Sequence, residues 1–165
     1  MIEPMTAADE AVIAAQLQRP PRGVAGIAHR CRCGKPDVVA TRPRLADGTP
    51  FPTTYYLTCP RAAAACSTLE SQGVMADMAA SLLADETLAE EYRGAHAAYL
   101  ADRAQLGEAS EIAGVSAGGM PDRVKCLHAL LGHALAAGPG VNPLGDQTLA
   151  LVGDYARRPC LADAS

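Results

Sequence analysis

Six cysteines and four histidines are the side chains of this 165-residue sequence best suited to chemistry near neutral pH. Thiolate and imidazole together are the donor set of zinc sites, which are tetrahedral and often take ligands from a turn beside a β-hairpin and from a nearby helix. Cys31 and Cys33 form a Cys-x-Cys-Gly run, Cys59 follows a proline-rich stretch, and Cys126, His128 and His133 share a later segment. On an ideal helix Cys126 and His133 are about two turns apart and share a face, while His128 points elsewhere. One Cys-x-Cys is not the paired Cys-x-x-Cys of a zinc ribbon, so the motif alone is not diagnostic. A thiol enzyme is the competing chemistry, with Cys126 or Cys59 as nucleophile and a histidine as base. Arg123 and Lys125 would lower a thiol pKa, yet adjacent helical positions do not face each other and no third, orienting group is evident. Other members of the set read as structural: Cys66 as core, His96 as a surface or core histidine, Cys160 as incidental in a polar tail.

The elements that must position these groups follow from local patterns. Thr6 to Gln18 reads as a helix capped by Thr6, with Asp9 and Glu10 in its first turn and Val12, Ile13 and Leu17 as its apolar face. Pro20-Pro21 ends it, and RPPRGVAG reads as an extended linker. A β region begins at Ile27–Cys33. Val38–Thr41 and Thr53–Thr58 pair as a hairpin about Asp47-Gly48, with prolines 43, 50 and 52 stiffening its tip. Closing that hairpin returns Cys59 towards the end from which Cys31 and Cys33 lead in. Arg61–Ser71 and Val74–Ala84 are helical, and a longer helix follows from the N-cap Asp85 through Leu106. Gly107–Gly119 is a loop. Pro121 and Asp122 then open the helix that carries Cys126, His128 and His133, which Gly138-Pro139-Gly140 stops. A last helix spans roughly Asp146 to Tyr155. The fold class expected is α+β: a β-hairpin or small antiparallel sheet packed on a mostly helical body. One domain is expected over 1–165, with 1–22 as N-terminal helix and linker and 157–165 as a polar tail.

Composition limits the function classes. The net charge of −4 divides unevenly. Pro20–Arg61 holds seven Lys/Arg against two acids, and Ala62–Ile112 two against nine. Mutual neutralisation of the two segments is the simpler expectation. The sharper one is an anion-facing patch around Arg42 and Arg44, joined by Asn142 in the loop AAGPGVNPLGD before the last helix. That loop lacks the Gly-x-x-x-x-Gly-Lys-Ser/Thr arrangement of a phosphate loop. With one Phe, five Tyr and no Trp, nucleic-acid binding is not indicated, and the core must come mainly from Leu, Val, Ala and Met. No apolar run reaches membrane-spanning length. MIEPMTAADE does not read as a secretion signal, so a cytoplasmic location is expected, where cysteines serve as ligands, nucleophiles or core residues more than as disulfides.

The phrases HRCRCGKPDVV, DGTPFPTTYYLTCPRA, GGMPDRVKCLHALLGHALAAG and GVNPLGD together resemble a bacterial, mainly actinobacterial family designated domain of unknown function 501. The resemblance implies no established activity. It implies a gene neighbourhood with a septum-formation initiator, enolase and an exopolyphosphatase, hence housekeeping or division-linked work. Its phrases map onto Cys31, Cys59, Cys126, His128 and His133, whereas Cys33 falls where the pattern varies, which favours Cys31 as a ligand.

Together these readings predict a zinc site, preferred over an iron–sulfur cluster, formed by Cys31, Cys59, Cys126 and a histidine. His133 is preferred to His128 because it shares the face of Cys126. Four protein ligands would make the metal structural. Three ligands and a water would permit hydrolysis of an anionic substrate held by Arg42 and Arg44. A metal-free module that binds a protein partner through its charged faces is the alternative.

Overall fold

The computed structural model describes residues 1–161. Helix α1 (Ala7–Leu17) starts where a capping box is written. The Thr6 hydroxyl accepts from the Asp9 N–H at 3.1 Å, and the Asp9 carboxylate accepts from the Thr6 N–H at 3.0 Å. Strands β1 (Val24–Arg30), β2 (Pro36–Thr41) and β3 (Tyr55–Leu57) form an antiparallel sheet in the order β1-β2-β3. The β2–β3 pairing is the expected hairpin, with Val38 opposite Leu57 and Ala40 opposite Tyr55. The linker reading of RPPRGVAG is corrected at its end, because Val24-Ala25-Gly26 already belongs to β1. Gly26 is required there: a Cβ would stand 2.4 Å from the Glu3 carbonyl, which pairs with Ile27 on the outer edge of β1.

All six residues of β2 are buried, since both faces of the strand are covered. On one side α1 sets Ile13 against Ile27 and Val39. On the other, the main core joins Val38, Ala40, Tyr55 and Leu57 to the helices. These are α2 (Pro60–Ser71), α3 (Val74–Ala84), α4 (Glu86–Ala104), α5 (Leu127–Ala137) and α6 (Pro143–Val152). An α+β architecture, a small sheet on a helical body, is therefore what the chain adopts. Leucines dominate the buried helical faces as composition requires, but Tyr92 and Tyr99 are also fully buried. Each places its hydroxyl on a backbone partner, Arg123 O at 2.9 Å and the Thr54 N–H at 2.6 Å.

Helix α5 departs most from expectation. It begins at Leu127, and residues 118–125 form a turn instead. Gly118 and Gly119 have φ of +70° and +96°, and their carbonyls accept from the Lys125 and Arg123 N–H groups at 2.7 and 2.9 Å. Those bonds take the place of the first helical turn that Pro121 and Asp122 suggest. Cys126 thereby becomes the extended N-cap residue of α5. The helix lies unusually close to its neighbours: a Cβ on Gly132 would meet the Tyr55 carbonyl at 2.9 Å, and one on Gly145 of α6 would meet the Leu130 carbonyl at 2.5 Å. Among the described residues no helix is long and apolar enough to cross a membrane.

Candidate metal centre

The last turn of α2 faces the first turn of α5. Glu70 is an acidic group at a helix C-terminus, where the backbone dipole does not favour it. Its partner is the other helix: Glu70 Oε1 accepts from the Leu127 N–H at 2.8 Å, satisfying a free donor at the start of α5. The same oxygen lies 3.1 Å from His128 Nδ1. Cys126 Sγ lies 3.9 Å from that nitrogen. Carboxylate oxygen, thiol sulfur and imidazole nitrogen all lie within 4.8 Å of one another, the one such group of three among the described residues.

His128 Nε2 faces the Ser67 hydroxyl at 3.3 Å. Sulfur and carboxylate therefore address one ring nitrogen and the hydroxyl the other. Electrostatics follows this geometry. Burial would raise the Cys126 thiol, but the His128 contact and the Ala129 N–H together outweigh it and hold the thiol below its ordinary value. His128 is pushed up to about 9, first by Cys126 and against its own burial, with Glu70 adding to the rise. Without a metal, His128 is therefore an imidazolium near neutral pH, beside a thiol whose ionisation it eases. A pocket of about 280 Å³ opens beside it, lined by Thr53, Tyr55, Tyr56, Leu57, Cys126, His128 and Ala129.

The other expected ligands stand elsewhere. His133 is fully buried in the middle of α5, stacked on Tyr55 at 5.8 Å and edge-on to Tyr99 at 5.0 Å. Asn142 Nδ2 donates to its Nδ1 at 3.1 Å, and burial pulls it down to about 4, so the ring is neutral. It does not share a ligand face with Cys126, because Cys126 precedes the helix and has extended backbone. Cys31 and Cys59 do return to one end of the sheet, as the hairpin argument requires: Thr58 donates to the Asp37 carbonyl at 2.8 Å, and both thiols feel the Asp37 carboxylate. Neither joins the group of Glu70, Cys126 and His128. Cys66 is fully buried core, as read. Cys160 is not incidental: it is buried, with its sulfur 3.7 Å from Cys33 Sγ.

The expected anion patch is differently engaged. Asn142 is buried as the N-cap of α6, its Oδ1 taking the Gly145 N–H at 3.0 Å, so its side chain fills the place an anion would need. Arg44 is bound to Glu111 at 2.6 Å and to the Gly48 carbonyl at 2.8 Å, and Arg42 is exposed. Arg44–Glu111 joins the basic and acidic segments, but Arg30 pairs with Glu3 and Asp9, Arg32 with Asp154 and Arg22 with Asp47. Much of the basic segment is thus neutralised by residues outside the acidic one.

Residues 27–150 match the sequence model of the family described as Protein of unknown function (DUF501). The chain belongs to this family. The matched DUF501 region runs from β1 into α6 and includes Glu70, Cys126, His128, His133 and Asn142, while α1 and Cys160 lie outside it. No curated protein and no solved structure matches the chain.

Sequence reading missed Glu70 and Ser67. The available signal for Glu70 was its place at the wrong end of a predicted helix, a position that asks for a compensating partner. Ser67 gave no signal, because its role depends on a histidine brought to it by the fold.

Proposed function

We propose that this DUF501 protein binds one transition-metal ion, zinc foremost, through Glu70 Oε1, Cys126 Sγ and His128 Nδ1. The observation that carries the reading is the crowding of two electron-rich atoms on one ring nitrogen. A single N–H cannot serve both the sulfur and the carboxylate. A cation at the common vertex satisfies all three donors, and His128 then keeps its proton on Nε2 for Ser67, the arrangement by which metal-binding histidines are oriented. One thiolate, one imidazole and one carboxylate suit zinc, whereas an iron–sulfur cluster draws mainly on thiolates.

Three protein donors leave a fourth position, and the adjoining pocket gives a ligand or water a way in. This favours a site able to bind or activate a small molecule over a closed structural one. Arg42 and Arg44 do not line that pocket, so the substrate reading that relied on them loses its support. A cytoplasmic location accords with the same reading, because reduced thiols are what the ligand set needs.

Elemental analysis of untagged protein after dialysis tests it. About one zinc per chain is expected, lost in Cys126→Ser and in Glu70→Gln, and retained in Cys31→Ser. Wild-type protein without stoichiometric metal, or a Cys126→Ser variant that keeps it, would overturn the assignment. The 3.9 Å Cys126–His128 contact also favours a second reading, a metal-free thiolate nucleophile. The two part on alkylation: zinc shields Cys126 from iodoacetamide if the metal is native, whereas a nucleophile reacts at the same rate with and without zinc.

A further inference from the structure

The other sulfur cluster of the molecule does not share the features of the metal centre. At the turn between β1 and β2, Cys33 Sγ stands 3.7 Å from the Sγ of Cys160, a residue 127 positions further along the chain. Gln16 of α1 fixes this approach from one side: its Nε2 donates to the Pro36 carbonyl at 2.7 Å and to Cys160 Sγ at 3.3 Å. The chain before Cys160 is fixed from the other, since Tyr155 donates to Asp37 Oδ2 at 2.8 Å and Arg61 Nε to the Pro159 carbonyl at 2.8 Å. Two thiols from opposite ends of the chain are therefore delivered to van der Waals contact by bonds that neither sulfur makes alone. Disulfide formation needs a further approach to about 2.05 Å, within reach of side-chain rotation and a small turn adjustment.

We propose that Cys33 and Cys160 form a reversible disulfide that latches the C-terminal segment to the β1–β2 turn, with a low-molecular-weight disulfide as the oxidant. Cys33 is partly exposed and Cys160 buried, so the order of events is set by access. The Cys33 sulfur attacks one sulfur of the external disulfide, whose S–S bond breaks; the departing thiolate takes the proton given up by Cys33. The Cys160 sulfur then attacks Cys33 Sγ in the mixed disulfide and expels the second thiolate, which takes the Cys160 proton. Two protein thiols are oxidised and one external disulfide is reduced to two thiols. Cys31 is the competing partner: its sulfur accepts from the Cys33 N–H at 3.5 Å and lies within hydrogen-bonding reach of the Cys33 thiol as well. Cys160 is preferred because two cysteines with a single residue between them close a strained disulfide ring, whereas Cys160 approaches from a separate segment. Cys33 lies within the matched residues 27–150 and Cys160 beyond them.

The test is full-length reduced protein incubated with oxidised glutathione, alkylated, digested without reduction and mapped by mass spectrometry. Two of the six thiols should disappear, a peptide pair should join Cys33 to Cys160, and reduction should restore both. In Cys160→Ser the glutathione should remain on Cys33 as a mixed disulfide, whereas Cys33→Ser should leave Cys160 unmodified in the folded protein. Persistence of all six thiols under conditions that oxidise a control dithiol would overturn the proposal. So would a wild-type map in which Cys33 is joined to Cys31 or Cys59, and this readout needs no variant to fold.

Discussion

His128 and His133 lie on the same helix, α5, and the fold moves them in opposite directions. His128 stands in the first turn, where Cys126 and Glu70 bring negative charge to its Nδ1 and push it up to about 9. His133 stands in the middle, where burial draws it down to about 4. Asn142 reinforces that neutrality. Its Oδ1 is committed to the Gly145 N–H, so its Nδ2 faces the ring and Nδ1 must be the acceptor. One histidine is thus held where polar donors converge beside a pocket, and the other is a packing piece between two tyrosines. Local context, rather than the helix that carries them, decides which one has chemistry to offer.

Truncation should separate the two most strongly. His133→Ala removes a fully buried ring stacked on Tyr55 and edge-on to Tyr99, and leaves one Asn142 Nδ2 hydrogen unpaired, its other partner being Met120 Sδ at 3.7 Å. A loss of about 3–5 kcal/mol is expected from the cavity and the orphaned donor together. His128→Ala in metal-free protein removes a partly exposed side chain but also the partner of Glu70, and a smaller loss of about 1–2 kcal/mol is expected. Urea denaturation of both variants gives the comparison. Equal losses would mean that His133 is not the packing piece described.

The pH dependence of stability follows from the same burial. His133 titrates at about 4 in the folded protein against 6.5 unperturbed. Between those values the unfolded chain takes up a proton that the folded one refuses. The stabilisation is therefore complete above pH 6.5 and declines as pH falls towards 4. Its size across the window is of the order of 3 kcal/mol. The difference in unfolding free energy between wild type and His133→Gln isolates this from the carboxylates, and it should shrink as pH falls from 6.5 to 4. A difference that stays constant would refute a neutral buried ring.

How far this division could be read from the sequence depends on how local its causes are. The cap of α1 and the β2–β3 hairpin are set by neighbours a few residues apart, Thr6 with Asp9 and Asp47-Gly48 between β-branched runs, and both appear where expected. The start of α5 was not legible. Pro121 and Asp122 imitate a helix N-terminus, but the Gly118 and Gly119 carbonyls capture the N–H groups that such a helix would leave free. That shift of the helix start takes Cys126 out of register with His133. Cys126 and His128 were both recognisable as candidates; that they meet, and that Glu70 meets them, is fixed by the packing of α2 on α5. A contact spanning 57 positions leaves no periodic trace. The deep burial of Asn142 was hidden likewise, since a Gly/Pro-rich loop reads as surface until the approach of α6 to Leu130 is known.

Ser67 offers the smallest and sharpest test of what distinguishes His128. If a cation takes Nδ1, the ring must carry its proton on Nε2, and the Ser67 oxygen, 3.3 Å away, is the acceptor that holds it there. Ser67→Ala leaves Glu70, Cys126 and His128 in place but frees the ring to turn and removes the acceptor. Zinc affinity, measured by competition with a chromogenic chelator, should fall about tenfold, equivalent to about 1.4 kcal/mol. Ser67→Thr, which keeps the hydroxyl, should restore most of it. The same substitution should leave the stability of metal-free protein within about 0.5 kcal/mol, because the serine is exposed on α2. A loss of affinity without a loss of stability would mark Ser67 as a positioning residue for a metal ligand. An unchanged affinity would mean that the proton on Nε2 is not what orients His128, and that the ring is held by Cys126 and Glu70 alone.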